Sequence, residues 1–382
     1  MKKQAKKILY KIYYEKFVKS IHNKSIVKEE YQPILERLSK PDAPKNTEKE
    51  REWLAKWRKY DKSITSDAYK VFSLFTEDAI NVIPYEVLRA VVEPVLTPYQ
   101  YVDFYSDKNS FDILFNKEDM PRTLFRCMNG VYYDGNYVGK KDTDILSCLD
   151  GVDEIIIKPT KSNSGRGIVM YHLEDGEYKN SEGAILDVKE LTSAYHANFI
   201  IQERFHQGDF MAQFNPSSVN TIRMAVYRSP KTGELHTLRP LLRIGAKGSV
   251  VDNNHSGGMY TVIDDNGKLC PFVADGFEVK RTIFNDIDFE HTDFIIPNLD
   301  SVKSFVKRLA MRIPHMHLMA FDVALDKDNQ PKLIEVNTYM YGIFMYQLCF
   351  GPVFREYTDE ILDYCLENHD KLDIDFVRAY NK

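Results

Sequence analysis

The residues most able to do chemistry stand in two stretches. In the first, Ile155-Ile156-Ile157-Lys158-Pro159 runs into Thr160-Lys161-Ser162-Asn163-Ser164-Gly165-Arg166-Gly167, and Ile168-Val169 follow. The β-branched run predicts a buried strand, and it ends in a lysine. A loop of small residues with two glycines comes next. Glycine lets backbone N–H groups approach a ligand closely, which favours phosphate. Lys158 adds a point charge for phosphate oxygens. The stretch is not a P-loop, because G-x-x-x-x-G-K-[ST] is absent, and it carries no G-x-G-x-x-G between a strand and a helix. The other reading is a hairpin turn with a solvated lysine, since Ser, Asn and Gly are usual there.

The second stretch is Phe321-Asp322-Val323-Ala324-Leu325, a polar turn over 326–331, and Lys332-Leu333-Ile334-Glu335-Val336-Asn337. Two strands around a polar turn predict a hairpin. If Leu325 pairs with Lys332, Asp322 stands opposite Glu335, with Cβ atoms about 5 Å apart. Asn337 is two residues on and shares that face. Directly opposed like charges destabilise a sheet. A cation removes the conflict, and Mg²⁺ takes a few carboxylates together with substrate phosphates. The other reading is an exposed pair on an edge hairpin, although apolar neighbours make unpaired charge costly there.

Three weaker features accompany these. The predicted strand that ends in Gln202-Glu203-Arg204-Phe205 can offer backbone edges to a nucleobase. Arg223 is one charge in the apolar run Asn220-Thr221-Ile222-Arg223-Met224-Ala225-Val226, so it needs an anionic partner, structural or functional. Arg243 precedes the polar loop Asp252-Asn253-Asn254-His255-Ser256-Gly257-Gly258, in which His255 also reads as an ordinary loop histidine.

The elements that must position these residues change texture along the chain. Over residues 5–21, apolar side chains at Ile8, Leu9, Ile12, Tyr13, Phe17, Val18 and Ile21 form a helical stripe among lysines. Such a helix can lie on an anionic membrane or pack on its own domain. Thr47 followed by Glu50 predicts a capping box opening a helix through Trp53, Leu54 and Trp57. More helix is expected over 67–95, interrupted near Pro84. Beyond about residue 107, short strands are expected at 154–158, 199–203, 220–227, 259–264, 317–325 and 332–337, with helices at 187–195 and 302–311. This is an α+β pattern with mixed or antiparallel sheets.

Composition bounds the answer. The 382 residues allow about two to three domains. With 43% hydrophobic and 28% charged residues, the chain is not wholly disordered. No apolar run reaches the ~20 residues that span a bilayer, and the first 24 residues lack the apolar block of a secretory signal. Cys127, Cys148, Cys270, Cys349 and Cys365 are odd in number and unpaired in sequence, which argues for a reducing cytoplasm. Residues 1–60 hold 17 Lys/Arg and 8 Asp/Glu, a charge of +9 against −14 for the remainder. An acidic body argues against nucleic acid as the main partner.

In this order the pieces resemble the ATP-grasp superfamily, most closely the sugar-transfer-associated family of bacterial polysaccharide gene clusters. The residues carrying the resemblance are Ser106-Asp107-Lys108, Ile157-Lys158-Pro159 with 162–167, Gln202-Glu203-Arg204-Phe205, Val219-Asn220-Thr221-Ile222-Arg223, Val251-Asp252-Asn253 with Gly257-Gly258, Phe321-Asp322-Val323 and Ile334-Glu335-Val336-Asn337. The resemblance implies two α+β subdomains clasping ATP behind a mostly helical region. Their expected bounds are 1–106 for the helical region, 107–201 for the small subdomain with the glycine-rich loop, and 202–382 for the core subdomain with a C-terminal helix. Lys108 and Lys158 resemble the nucleotide-binding lysines, and Ser162, Asn163, Ser164, Gly165, Arg166 and Gly167 the loop over the phosphates. Gln202, Glu203, Arg204 and Phe205 resemble the segment that reads adenine. Asp322, Glu335 and Asn337 resemble magnesium ligands, Arg223 a residue at the transferred phosphate, and Arg243, Asn254 and His255 the acceptor side. Thr338-Tyr339-Met340-Tyr341-Gly342 departs from the arginine or small residues that many members place after that asparagine.

The implied activity is an ATP- and Mg²⁺-dependent carboxylate–amine ligase working through an acyl phosphate on a sugar or polysaccharide precursor. The alternative is a kinase acting on a sugar hydroxyl. Implied partners are a small-molecule, nucleotide- or lipid-linked sugar acceptor and an amine donor. Residues 1–24 are expected to meet a glycosyltransferase or the inner membrane face.

Overall fold

Thr47 opens the helix Glu48–Trp57 as its spacing predicts, its side chain accepting from the Glu50 backbone N–H at 3.2 Å. Trp53 and Trp57 are one turn apart and both fully buried. The computed structural model describes residues 24–37, 47–161, 165–249, 252, 256–275, 280–339, 341–342 and 347–368. The basic stripe over 5–21 lies outside them. Helix follows at Asp67–Phe72 and, after extended Pro84, over 85–96.

The first sheet has seven strands: β1 (Thr123–Met128), β2 (Val131–Asp134), β3 (Gly139–Lys140), β4 (Glu154–Pro159), β5 (Val169–Glu174), β6 (Glu177–Asn180) and β7 (Phe199–Glu203), in the order β3-β2-β1-β7-β4-β5-β6. Phe125, Ile155, Ile157, Phe199 and Ile201 bury one face against Leu149, Val188 and Leu191. Lys158 and Gln202 alternate onto the other face. The division expected at 201/202 falls inside β7, which stays in this sheet through Glu203.

The second sheet comprises β8 (Thr221–Arg228), β9 (Leu235–Thr237), β10 (Leu241–Ile244), β11 (Met259–Val262), β12 (Val273–Ala274) and β13 (Lys280–Arg281). A separate hairpin of β14 (Ile283–Phe284) and β15 (Ile287–Asp288) precedes its last strands, β16 (Leu318–Leu325) and β17 (Pro331–Asn337). Its order is β13-β12-β11-β10-β8-β16-β17, with β9 on β8. Strand pairings in both sheets are antiparallel. Ile222, Met224 and Val226 face the helix Leu299–Met311. Ala225, Tyr227, Leu318 and Ala320 face the N-terminal helices. The strands β2, β3, β9 and β12–β15 were not legible, because runs of two to four residues carry almost no alternation; β1, six residues in the middle of the first sheet, was missed as well.

Candidate active site

The apolar row that receives the N-terminal helices changes character along its strands. On the same face as Ala225 and Tyr227 stand Thr221 and Arg223, and on the face of Leu318 and Ala320 stands Asp322. Arg243 lies opposite Thr221, and Arg223 and Glu335 lie opposite Asp322 on either side. A covered apolar sheet face thus continues as a charged row.

Asp322 anchors that row. Arg223 donates to it through Nε and Nη2, both at 2.7 Å, and Arg243 Nη1 donates at 3.0 Å. Burial opposes ionisation of Asp322, but the two guanidiniums overcome it and hold its carboxyl below the usual range. Burial likewise opposes the charge of Arg223, and Asp322 outweighs it, holding the guanidinium above its ordinary value. Asp322 is the anionic partner that the lone arginine of an apolar strand requires. Arg243 Nη2 also reaches Asp252 at 3.2 Å, and the Thr221 hydroxyl donates to Asp252. Burial pushes the Asp252 carboxyl up, Arg243 notwithstanding.

Two lysines complete the cluster from the other wall. Lys108 sits in a short turn opened by Asp107, whose carboxylate accepts from the Asn109 N–H at 2.9 Å. The turn is tied to the first sheet: the Lys108 N–H donates to Thr160 O at 3.1 Å, and Arg126 Nη1 donates to Asn109 O at 3.1 Å. Lys108 Nζ then reaches Glu335 of the second sheet at 2.7 Å. Lys158, from β4, is 8% exposed. Burial, then the nearby charge of Lys108, lowers its pKa to about 8, with Glu335 opposing. The structure therefore brings together Lys108, Lys158, Arg223, Arg243, Asp322 and Glu335. Asn337, opposite Ala320 on the same face, has a buried Nδ2 with no hydrogen-bond partner among the described residues.

The register at Asp322 and Glu335 is as the sequence predicts, but Leu325 pairs with Pro331 rather than Lys332. A shift between Asp322 and Val323 makes up the difference, leaving Ile334 as the extra residue of a bulge.

Other expected residues lie around this centre. Gln202 Nε2 donates to Pro121 O and Thr123 Oγ1, both at 3.2 Å; Glu203 pairs with Arg122 at 2.8 Å, and Arg204 with Glu154 at 2.7 Å. These side chains are engaged on the first sheet, and Phe205 is half-buried where the chain leaves it. Gly165 and Gly167 take φ of 67° and 75°, and Gly167 O accepts from the Tyr195 hydroxyl at 2.8 Å. Arg166 is exposed. Ser162, Asn163, Ser164, Asn254 and His255 lie outside the described residues.

Among the described residues no three His, Cys, Asp or Glu side chains stand together as a metal cluster. Asp322 and Glu335 supply two carboxylates, so an amide and substrate oxygens would have to complete a cation's shell. The sequence reading missed Thr221 and Asp252 as the second anchor of Arg243. No local spacing marks them: Thr221 stands on β8, Arg243 on β10 and Asp252 in the loop beyond, and strand pairing brings the three together.

The family model for sugar-transfer associated ATP-grasp proteins matches residues 90–362. The chain belongs to that family and has its α+β ATP-grasp fold, behind a helical N-terminal region. No curated protein matches it. Among solved structures, D-alanyl-alanine synthetase A from Vibrio cholerae is similar at 12% identity and a TM-score of 0.38, covering 69% of this chain and 65% of that one. D-alanine–D-alanine ligase from Bacillus anthracis gives 14% and 0.37, covering 70% and 69%. N5-carboxyaminoimidazole synthetase from Staphylococcus aureus, complexed with ADP, gives 10% and 0.34, covering 64% and 47%. The chain thus spans less than two thirds of the first and third of these structures.

Proposed function

We propose that this chain is an ATP-dependent carboxylate–amine ligase that forms an acyl phosphate and then a C–N bond on a sugar or polysaccharide precursor. One observation carries the reading: four cations, Lys108, Lys158, Arg223 and Arg243, converge with Asp322 and Glu335 from two sheets. Transfer of a γ-phosphoryl group is mostly positioning and electrostatic stabilisation, and such a set supplies both.

In this reading Lys108 and Lys158 hold the α- and β-phosphates, and Arg223 faces the transferred group. Residues 162–167 cover the phosphates, and the backbone over 202–205 reads adenine. The donor set fits Mg²⁺. Three hydrogen bonds occupy Asp322, one on Oδ1 and two on Oδ2. A carboxylate has about four lone-pair sites, and the Asn337 side chain also acts on Asp322. Glu335 and the Asn337 side-chain oxygen would complete the protein's share. Bound there, Mg²⁺ would neutralise charge on the β- and γ-oxygens. Arg243, with Asn254 and His255, faces the acceptor.

A kinase would need a base at the acceptor hydroxyl. Both oxygens of Asp252 are engaged, one by Arg243 and one by Thr221. A carboxylate acceptor needs no such base, whereas a hydroxyl acceptor would draw on Asp252 or His255. The acceptor in this proposal is a nucleotide- or lipid-linked sugar acid and the donor an amine, in the cytoplasm. No helix among the described residues is long and apolar enough to cross a membrane. The basic stripe over 5–21 is proposed to contact anionic lipid or a glycosyltransferase. Loss of liposome binding on deletion of residues 1–24 supports the lipid contact, and binding that survives the deletion removes it.

Phosphorus NMR of the protein with Mg-ATP, nucleotide-linked uronic acids and amino acids tests the activity. Acceptor-dependent ADP plus free phosphate is the expected result. A new phosphate ester beside ADP would replace the ligase with a kinase.

A further inference from the structure

The stretch after Asn337 bears directly on Arg223. Asp322 takes Nε and Nη2 of that arginine, and Nη1 donates to the Tyr341 backbone oxygen at 3.3 Å. Nη1 carries two N–H groups, so one remains for a ligand. Gly342 follows with φ of +64°, and a Cβ there would stand 2.4 Å from Arg223 Nη1. Both its conformation and its lack of a side chain are needed. The Tyr341 ring turns away, fully buried in the core shared by the N-terminal helices and the second sheet. Its hydroxyl is hydrogen-bonded to that of Thr97, also fully buried, at the end of the helix Glu93–Leu96.

We propose that Tyr341 and Gly342 are positioning residues for Arg223, and that Thr97 fixes them from the N-terminal helical layer. The Asp322 fork holds one edge of the guanidinium. The Tyr341 carbonyl and the space left by Gly342 set where Nη1 points. Helices far from the chemistry in sequence thereby determine how the arginine meets phosphate. The inference rests on the reading that ATP binds with its γ-phosphate against Arg223.

The test is calorimetric binding of two probes to the full-length protein: the β,γ-imido analogue of ATP, and ADP, each with Mg²⁺. The intact protein should prefer the triphosphate. Gly342→Ala should weaken triphosphate binding about tenfold, the order of one charge-assisted contact, and leave ADP within about twofold. In an Arg223→Ala background the same change should add nothing, because Gly342 acts through that arginine. Thr97→Val should move the preference in the same direction by less, and it keeps the test open if Gly342→Ala does not fold. Equal weakening of both nucleotides, or an undiminished effect without Arg223, overturns the positioning role. An intact protein with no preference for the triphosphate overturns the placement of Arg223 at the γ-phosphate, and the inference with it.

Discussion

At the scale of single residues, the site works by holding like charges close in a buried space. Lys158 shows the consequence. Its pKa of about 8 means that it is charged at neutral pH and loses that charge soon above it. With ATP phosphates at Lys158, as proposed above, the charged form would be favoured and binding would draw a proton. ATP affinity should therefore be highest below about pH 8 and fall above it. Calorimetry near pH 9 in two buffers of different ionisation enthalpy should show proton uptake, and Lys158→Met should abolish it. Glu335 has a different exposure: its partner Lys108 is 7% exposed, while its own side chain is 26% exposed. Glu335→Gln should lower acceptor-dependent turnover on the order of 100-fold or more, and the glutamine amide oxygen can still accept from Lys108, so the variant should remain folded. Near-normal turnover would remove Glu335 from the proposed metal and phosphate site.

At the scale of elements, the question is what carries each charged side chain to its place. The short turn bearing Lys108 is held by a buried network rather than by helix length. Arg126 is fully buried, bonds Asp112 through Nη2 and Nη1, and stacks on the Tyr137 ring at 3.9 Å. The Tyr137 hydroxyl donates to Asp112 as well. Removing one partner strands the other charge without water. Asp112→Ala should cost about 3–5 kcal/mol in urea unfolding. A loss below about 1 kcal/mol would mean that the pair is solvated, as exposed ion pairs are. The β16–β17 hairpin makes a related point. Alternation in its sequence placed Asp322 opposite Glu335, yet only the bulge reconciles that pairing with the turn.

At the scale of the whole molecule, the N-terminal helices are the cover of the second sheet and share its core. That core buries Glu86, whose carboxylate accepts from the Tyr31 hydroxyl at 2.9 Å. Burial raises its pKa to about 7. A carboxyl raised on folding contributes most to stability below its unfolded pKa, near pH 4.5, and that contribution is lost as pH rises through about 7. The loss is on the order of 3 kcal/mol, and Glu86→Gln should flatten it in unfolding curves at pH 5 and pH 8. Lys158 acts oppositely and in another window: lowered on folding, it adds stability only as pH rises above about 8. An unchanged pH slope in Glu86→Gln would mean that Glu86 reaches water.

The sequence by itself determined the local grammar of this protein. Alternation and β-branched runs marked β4, β7, β8, β16 and β17, and a threonine cap marked the helix of the two tryptophans. Lone charges within apolar runs marked Arg223 and Asp322, because such charges demand partners. Lys108 carries no such mark: it lies in a polar turn, and only resemblance to a family singled it out. Which partner each charge takes was decided by the tertiary structure. Arg223 meets Asp322 because β8 and β16 are neighbours, although the two residues are 99 positions apart in the sequence. Lys108 meets Glu335 across 227 residues because its turn is tied to one sheet and its partner to the other. Sheet order and the packing of helices on a face bring such pairs together, and neither is written in any local spacing.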